Sequence, residues 1–470
     1  MTHKPLHLVV LAAGEGKRMN SGLPKVLQPI SGKPMLAHVL DAALELSPER
    51  VHIVVGHGAE RVEAMLADFA ETPTAAKAAI STVTQHERLG TGHAVQQAMD
   101  EIPESARVMV LPGDMPLVRS RTLIAFSKLS APLAVLSFQA SDPHGYGRIL
   151  RDRDSRVIGI REQRDASEVE ARITEVNSGV LAADADRLSD WLGRLSNENS
   201  QGEYYLTDCI GLAAEGETAV EAMCCRDSEE TLGANNMRQL AELERVLQRR
   251  RNNDLMDAGV RMPNPASVQV RGRVSAGRDV VIESGAVLEG EIVLGDRAVV
   301  GVGCVVRNAR LAAGTRLEPY CLLEGVETTG ACTIGPFARL RPGTVLAAGV
   351  RIGNFVETKN AVFAEDAKAS HLSYAGDVEI GARANIGAGT ITCNYDGANK
   401  HRTTIGEDAF IGSNTALVAP VTVGARATVG AGSVVTGEAQ ADALTVARAR
   451  SRTIRGWKRP TKKKPDIGKE

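Results

Sequence analysis

The chain is poor in aromatic residues, in cysteine, in net charge and in long apolar runs. Phe, Tyr and Trp make up 3% of its 470 residues, so a large core has to be packed with aliphatic side chains. The formal net charge is -2, which gives no electrostatic reason to expect nucleic acid as a partner. Met1 to Leu11 is too short to span a bilayer and lacks both a basic start and a small-residue cleavage site. Neither a signal peptide nor a membrane span is expected, and the expected location is cytoplasmic. The seven cysteines are scattered, Cys224 and Cys225 being adjacent, with no Cys-x-x-Cys spacing. That excludes a zinc ribbon or a disulfide framework and leaves reduced, mostly buried thiols. At this length more than one hydrophobic core is expected, hence two or more domains.

What is present is a period. Val281, Val287, Val293, Val299, Val305, Leu311, Leu317 and Leu323 recur at every sixth position. The series resumes as Ile334, Leu340, Leu346 and Ile352, and again from Ile405 through Ile411, Leu417, Val423 and Val429 to Val435. Six is a multiple of the strand period of two and does not fit the helical spacings of three and four. Gly406, Gly412, Gly424 and Gly430 follow the aliphatic, and a small or β-branched residue stands four places on, as at Ala409 and Ser433. Short strands joined by tight turns into a stacked parallel coil are expected, with the aliphatic inward and Gly relieving the turn. These hexads resemble those of the left-handed parallel β-helix acyltransferases, whose coils carry three hexads each and whose members associate as trimers.

The first half alternates strand and helix signals: Leu6 to Leu11, Val51 to Val55 and Val108 to Leu111 as buried strands, Met35 to Leu46 as a helix. A doubly wound α/β domain follows, with ligands at the carboxyl ends of its strands. After the first strand comes Gly14-x-Gly16, a loop able to bring backbone N–H groups to phosphates. It lacks the third Gly of a dinucleotide fingerprint and the Gly-Lys-Ser/Thr ending of a P-loop, so alone it reads first as a bare turn. Arg18 and Lys25 add cations suited to a triphosphate.

Leu11-Ala12-Ala13-Gly14-x-Gly16-x-Arg18-Met19 with Pro24-Lys25 resembles the signature of sugar-1-phosphate nucleotidyltransferases. Together with Leu89-Gly90-Thr91-Gly92-His93, Gly113-Asp114, Gly145-Tyr146-Gly147-Arg148 and the hexads, it makes the whole chain similar to a bacterial family of bifunctional enzymes. That resemblance implies transfer of uridylyl from UTP to N-acetylglucosamine 1-phosphate, and acetylation of glucosamine 1-phosphate by acetyl-CoA. It implies that Leu11, Ala12, Ala13, Gly14 and Lys25 meet the nucleotide, with Lys25 and Arg18 catalytic. Gln85, Gly90 and Thr91 would read uracil; Pro112, Gly113 and Asp114 would line the site; Gly147, Glu162 and Asn177 would hold the sugar. Asp114 and Asn235 would bind Mg²⁺, a hard cation that takes oxygen ligands alongside phosphates. Asp114 is otherwise a helix or turn cap, and Asn235 an N-cap of the next helix.

The implied layout is a uridyltransferase domain over 1–235, a linking helical arm over 236–260, a β-helix over 261–447 and a basic tail over 448–470. The arm carries an apolar stripe of Met237, Leu240, Leu243 and Leu247, with Arg249-Arg250-Arg251 as a solvated polar end. In the coil, chemistry gathers where the hexads slip: Arg341, Lys359, His371, Tyr374 and the Asn394-Tyr395-Asp396-Gly397 run. Only His371 and His401 follow residue 270, too few for a three-His zinc site. A histidine titrates near neutrality and can deprotonate an amine. The resemblance makes His371 that base, gives Arg341, Lys359, Tyr374 and Asn385 to the sugar phosphate, and gives Ala388, Asn394, Tyr395, Ser413, Ala431 and Arg448 to acetyl-CoA. A nucleotidyltransferase with a merely oligomerising β-helix, and a silent regulatory subunit, are the alternatives.

Overall fold

The computed structural model describes residues 4–460, so the Lys462-Lys463-Lys464 run of the expected tail lies outside the described residues. Contacts divide the chain into two compact units between Asn253 and Asp254.

In the first unit the sheet order is Val220–Cys225, Leu133–Gln139, Glu175–Asp184, Arg107–Pro112, Leu6–Leu11, Arg50–Val55, Ala79–Thr84. The strands from Arg107–Pro112 to Ala79–Thr84 are parallel neighbours, while Glu175–Asp184 runs antiparallel to both of its neighbours in this order. Alternation along each strand sorts side chains to two cores. Leu8, Val10, Ile53 and Met109 face one, covered by helix Met35–Leu44; Val9, Val54, Val108 and Val110 face the other, covered by Thr91–Met99 and Asp208–Glu215. Both faces are therefore closed, and the carboxyl ends of Leu6–Leu11 and Arg107–Pro112 are left to hold a site.

Helix Met237–Asp257 is not a free arm along its first turns. Leu243 and Val246 are buried against Met19, Ile30, Met35 and Leu117, whereas Met237 is exposed. Glu244 accepts from Ser31 N–H at 2.5 Å. The arginine run also departs from expectation. Arg250 donates to the Leu117 carbonyl at 2.8 Å and to Asp227 at 3.0 Å, and burial lowers the pKa values of Arg250 and Arg251. A buried guanidinium is tolerated only with such partners. Gly259, at φ +97°, follows the helix end as expected.

The second unit is a left-handed parallel β-helix of hexapeptide repeats. Val281 pairs with Val299, and the ladder continues through Arg316, Thr333, Arg351 and Lys368 to Asn385, each about three hexads on. The next step, Asn385 to Phe410, is longer because the segment around Asn394 and Lys400 leaves the coil. From Leu311 on, the series aliphatics point inward as expected: Leu311, Leu317, Leu323, Ile334 and Ile405 are all in the core. Before that the phase is off by one. Val281, Val287, Val293, Val299 and Val305 lie partly outside, and Ile282, Leu288, Leu294, Val300 and Val306 fill the interior.

The glycines of the last series have a different cause from the one expected. A Cβ on Gly406 would meet Ala425 N at 2.5 Å, and one on Gly412 would meet Ala431 N at 2.4 Å. They allow backbone of one coil to rest on the next. The left-handed corner positions fall instead on residues such as Tyr320, Phe337, Phe355 and Leu372, all with φ between 47° and 61°. The first three form an exposed stack, with ring centroids 5.4 Å apart at each step.

Candidate active sites

A cleft of about 550 Å³ opens at the carboxyl edge of the first unit's sheet. Its wall brings together Leu11, Ala13, Gly14, Gln85, Gly90, Thr91, Pro112, Asp114, Gly147, Glu162 and Asn177. Ala12 is behind the wall, 1% exposed, with its N–H on the Val54 carbonyl at 2.8 Å. Gly16 has φ +66°, and a Cβ there would meet Lys25 Cβ at 2.7 Å, so only Gly lets the loop close on Lys25. Gly113 N–H bonds the Leu11 carbonyl at 2.9 Å, which ties the loop strand to the Asp114 turn.

Lys25 sits between the two expected metal ligands. Its Nζ donates to Asn235 Oδ1 at 2.8 Å and forms an ion pair with the Asp114 carboxylate. Asn236, not Asn235, caps the following helix: its Oδ1 accepts from Gln239 N–H at 3.0 Å, and Gln239 Oε1 accepts from Asn235 N–H at 2.7 Å. The Asn235 side chain is thereby spared for the site. Arg18 borders an adjoining cavity of about 390 Å³ that it shares with Asp114, Asn235 and Tyr146.

Gln85 is buried, with Nε2 3.1 Å from the Gly90 carbonyl. Thr91 Oγ1 accepts from Leu206 N–H at 3.1 Å, and Tyr204 N–H bonds the Leu89 carbonyl at 2.7 Å. A Cβ on Gly90 would meet the Tyr204 carbonyl oxygen at 2.6 Å. Burial raises the Glu162 carboxyl above its ordinary range, and Thr207 Oγ1 donates to it at 2.9 Å. Sequence reading overlooked this whole Glu203-Tyr204-Tyr205-Leu206-Thr207 segment, which closes the cleft; no periodicity or charge run marks it.

In the second unit His371, Ala388, Ser413 and Ala431 each immediately precede a left-handed corner residue, namely Leu372, Gly389, Asn414 and Gly432. They therefore occupy one corner position in successive coils. At the head of this column the Arg448 guanidinium donates to the Ala431 carbonyl at 2.5 Å. Arg341 pairs with Glu357 at 3.0 Å. Lys359 faces Lys400, whose amine, followed by the nearby Arg341 charge, lowers the Lys359 pKa. Lys400 comes from the extruded loop, anchored where Asn394 Nδ2 donates to Asp377 at 2.5 Å. Within it, Asn399 N–H and the His401 imidazole hold the Asp396 carboxyl well below the usual range. Asn385 lies on the neighbouring wall, paired with Lys368 and Phe410, and Tyr374 pairs with Glu357. Tyr395 is exposed. Lys400 was missed in the sequence because a lone Lys in a polar loop carries no pattern.

A glycine-walled cleft with converging Lys, carboxylate and amide, followed by a hexad coil with a basic corner, defines a nucleotidyltransferase joined to a hexapeptide-repeat transferase. Residues 8–172 match the MobA-like NTP transferase domain, and residues 402–437 match the bacterial transferase hexapeptide (six repeats). The Bifunctional protein GlmU of Stenotrophomonas maltophilia (strain K279a) is 52% identical over 460 residues, covering 98% of this chain and 99% of that protein. Those of Xanthomonas oryzae pv. oryzae (strain MAFF 311018) and Xylella fastidiosa (strain M23) are 54% and 51% identical with the same coverage. The chain belongs to the GlmU family of bifunctional proteins.

Proposed function

We infer that the protein makes UDP-N-acetylglucosamine in two steps. The unit rich in hexads acetylates glucosamine 1-phosphate with acetyl-CoA; the α/β unit then transfers uridylyl from UTP to the resulting N-acetylglucosamine 1-phosphate. We assign the second reaction to residues 1–235 and the first to 261–447, with 236–260 as connection and 448–470 as tail.

In uridyl transfer the sugar phosphate oxygen attacks the α-phosphorus of UTP, and the bond to the bridging oxygen breaks as pyrophosphate leaves. The nucleophile is already an anion, so positioning and charge neutralisation carry the rate. Lys25 and Arg18 supply cationic charge, Gly14 backbone approaches the phosphates, and Glu162 with Asn177 orients the sugar. Asp114 and Asn235 offer one carboxylate and one amide oxygen, and a Cβ on Gly233 would intrude to 3.2 Å from Asp114 Oδ2. This oxygen set fits Mg²⁺, which when bound would neutralise phosphate charge.

In acetyl transfer the amine nitrogen attacks the thioester carbonyl, its proton passes to His371, and the CoA thiolate leaves. Arg341, Lys359 and Lys400 form a cationic cluster for the sugar phosphate, and Tyr374 and Asn385 flank it. Asn394 and Tyr395 border the acetyl-CoA track from the extruded loop.

The observation that favours two activities over a scaffold β-helix is the column above His371. Ala388, Ser413 and Ala431 keep it free of large side chains, as a pantetheine arm requires, and Arg448 at its end suits a CoA phosphate. Incubating the protein with glucosamine 1-phosphate, acetyl-CoA, UTP and Mg²⁺ tests the reading; absence of UDP-N-acetylglucosamine refutes it. A cytoplasmic setting is in keeping with seven free thiols, and among the described residues no helix is long and apolar enough to cross a membrane. The family likeness also points to a homotrimer, and sedimentation at a mass other than three chains would reject it.

A further inference from the structure

We propose that Asn354 is a positioning residue for acetyl transfer, holding His371 by Nδ1 so that Nε2 faces the substrate amine with a free lone pair. The proposal rests on His371 being the base. Asn354 Oδ1 lies 2.8 Å from His371 Nδ1, and an amide oxygen can only accept, so the proton of the neutral ring sits on Nδ1.

Three features build this contact rather than leave it to chance rotamers. Asn354 and His371 are register partners in adjacent coils. Each is followed by a bulky residue in the left-handed region, Phe355 at φ 57° and Leu372 at φ 47°, so the two chains turn the same corner in step. Beside Asn354, a Cβ on Gly353 would stand 1.8 Å from the Ser370 carbonyl oxygen. Any side chain at 353 would part the coils and draw Asn354 away from His371. Asn354 thus occupies the corner position directly below His371, in the column whose upper members are Ala388, Ser413 and Ala431.

An amide in this place orients without adding charge. The ionisable groups nearest in register on the flanking strands are Arg351 and Lys368, which are partners of each other, and Glu357 and Tyr374, partners beyond the corner, with Lys359, Asp377 and Glu379 further along the same two strands. No carboxylate is the Nδ1 partner, so replacing Asn354 by Asp tests the role directly.

The experiment uses the full chain with Asn354→Ala, Asn354→Asp and His371→Ala, measuring acetyl transfer, uridyl transfer and the pH dependence of kcat/KM for acetylation. Asn354→Ala is expected to lower kcat for acetylation at least about tenfold, with KM for both substrates and uridyl transfer little changed, because the ring loses its fixed tautomer. Asn354→Asp is expected to recover much of that rate and move the acid limb of the profile to higher pH, since a carboxylate stabilises imidazolium. Nitrogen-15 shifts of His371 should report a proton on Nδ1 in the unaltered protein. Unchanged kcat and an unmoved profile in both Asn354 variants, or a proton on Nε2, overturn the proposal while leaving His371 as base. Full acetylation by His371→Ala would instead overturn the reading beneath it.

Discussion

Lys25 Nζ donates to Asn235 Oδ1 at 2.8 Å, across 210 positions of chain. With Asp114 on the same ammonium, the start, middle and end of the first unit meet at one point. Asp114→Ala removes both the ion-pair partner and the carboxylate proposed for Mg²⁺. Uridyl transfer should fall by about two to three orders of magnitude or more, with acetylation kept. Pyrophosphate release and thiol release, followed on one preparation, check this; equal loss of both activities indicates misfolding.

His371→Ala should behave in the opposite way. A positioned base is worth about two to four orders of magnitude, so acetylation should drop by that amount while uridyl transfer persists. Release of CoA thiol measures the first and pyrophosphate the second. Undiminished thiol release would remove His371 from the mechanism.

Lys400→Ala should raise KM for glucosamine 1-phosphate several-fold and leave KM for acetyl-CoA nearly unchanged. The motive is the crowding of Lys400, Lys359 and Arg341, a repulsion that a bound phosphate dianion would relieve. The effect should shrink at high salt. A KM unaffected by the substitution would place the phosphate elsewhere.

Stability of the first unit should fall in mild acid. Burial lowers the His38 pKa to about 4, and burial likewise lowers those of His7 and His52, whose rings stack in the sheet with Nδ1 of His7 3.1 Å from Nε2 of His52. The unfolded chain takes up these protons near its ordinary 6.5 and the folded chain does not. Stability is therefore full above about pH 6.5 and is lost as pH falls towards 4, with His38 alone accounting for about 3 kcal/mol by linkage. Urea midpoints of the first unit between pH 7 and 4.5 check the sign. His38→Gln should flatten the dependence, and an equally steep curve in that variant would exclude His38.

The coil was legible because hexads repeat a strand period, but its inward phase was not. At Val281-Ile282, Val287-Leu288, Val293-Leu294, Val299-Val300 and Val305-Val306 two aliphatics stand side by side, and either could fill the interior. Only stacking decides between them. The nucleotide loop was readable since Gly16 and Lys25 are close in sequence, whereas Asn354 and Lys400 become neighbours of His371 and Lys359 only through coil register and a loop excursion. Arg250 reads as solvent-facing within a basic run; its partners Leu117 and Asp227 lie far away in the chain. Local chemistry was visible and long-range pairing was not.

The bare backbone stacking at Gly406 and Gly412 also limits how the second unit's length can vary. With no side chain to act as a spacer, a residue inserted within a straight segment would make the inner and outer faces trade places, so single-residue differences are taken up at the turns, as where Val299 lies under Arg316 and Thr333 under Arg351. Larger additions enter as whole storeys or as balconies such as the one bearing Lys400, so new chemistry in this architecture is hung from the corners while the shaft stays modular.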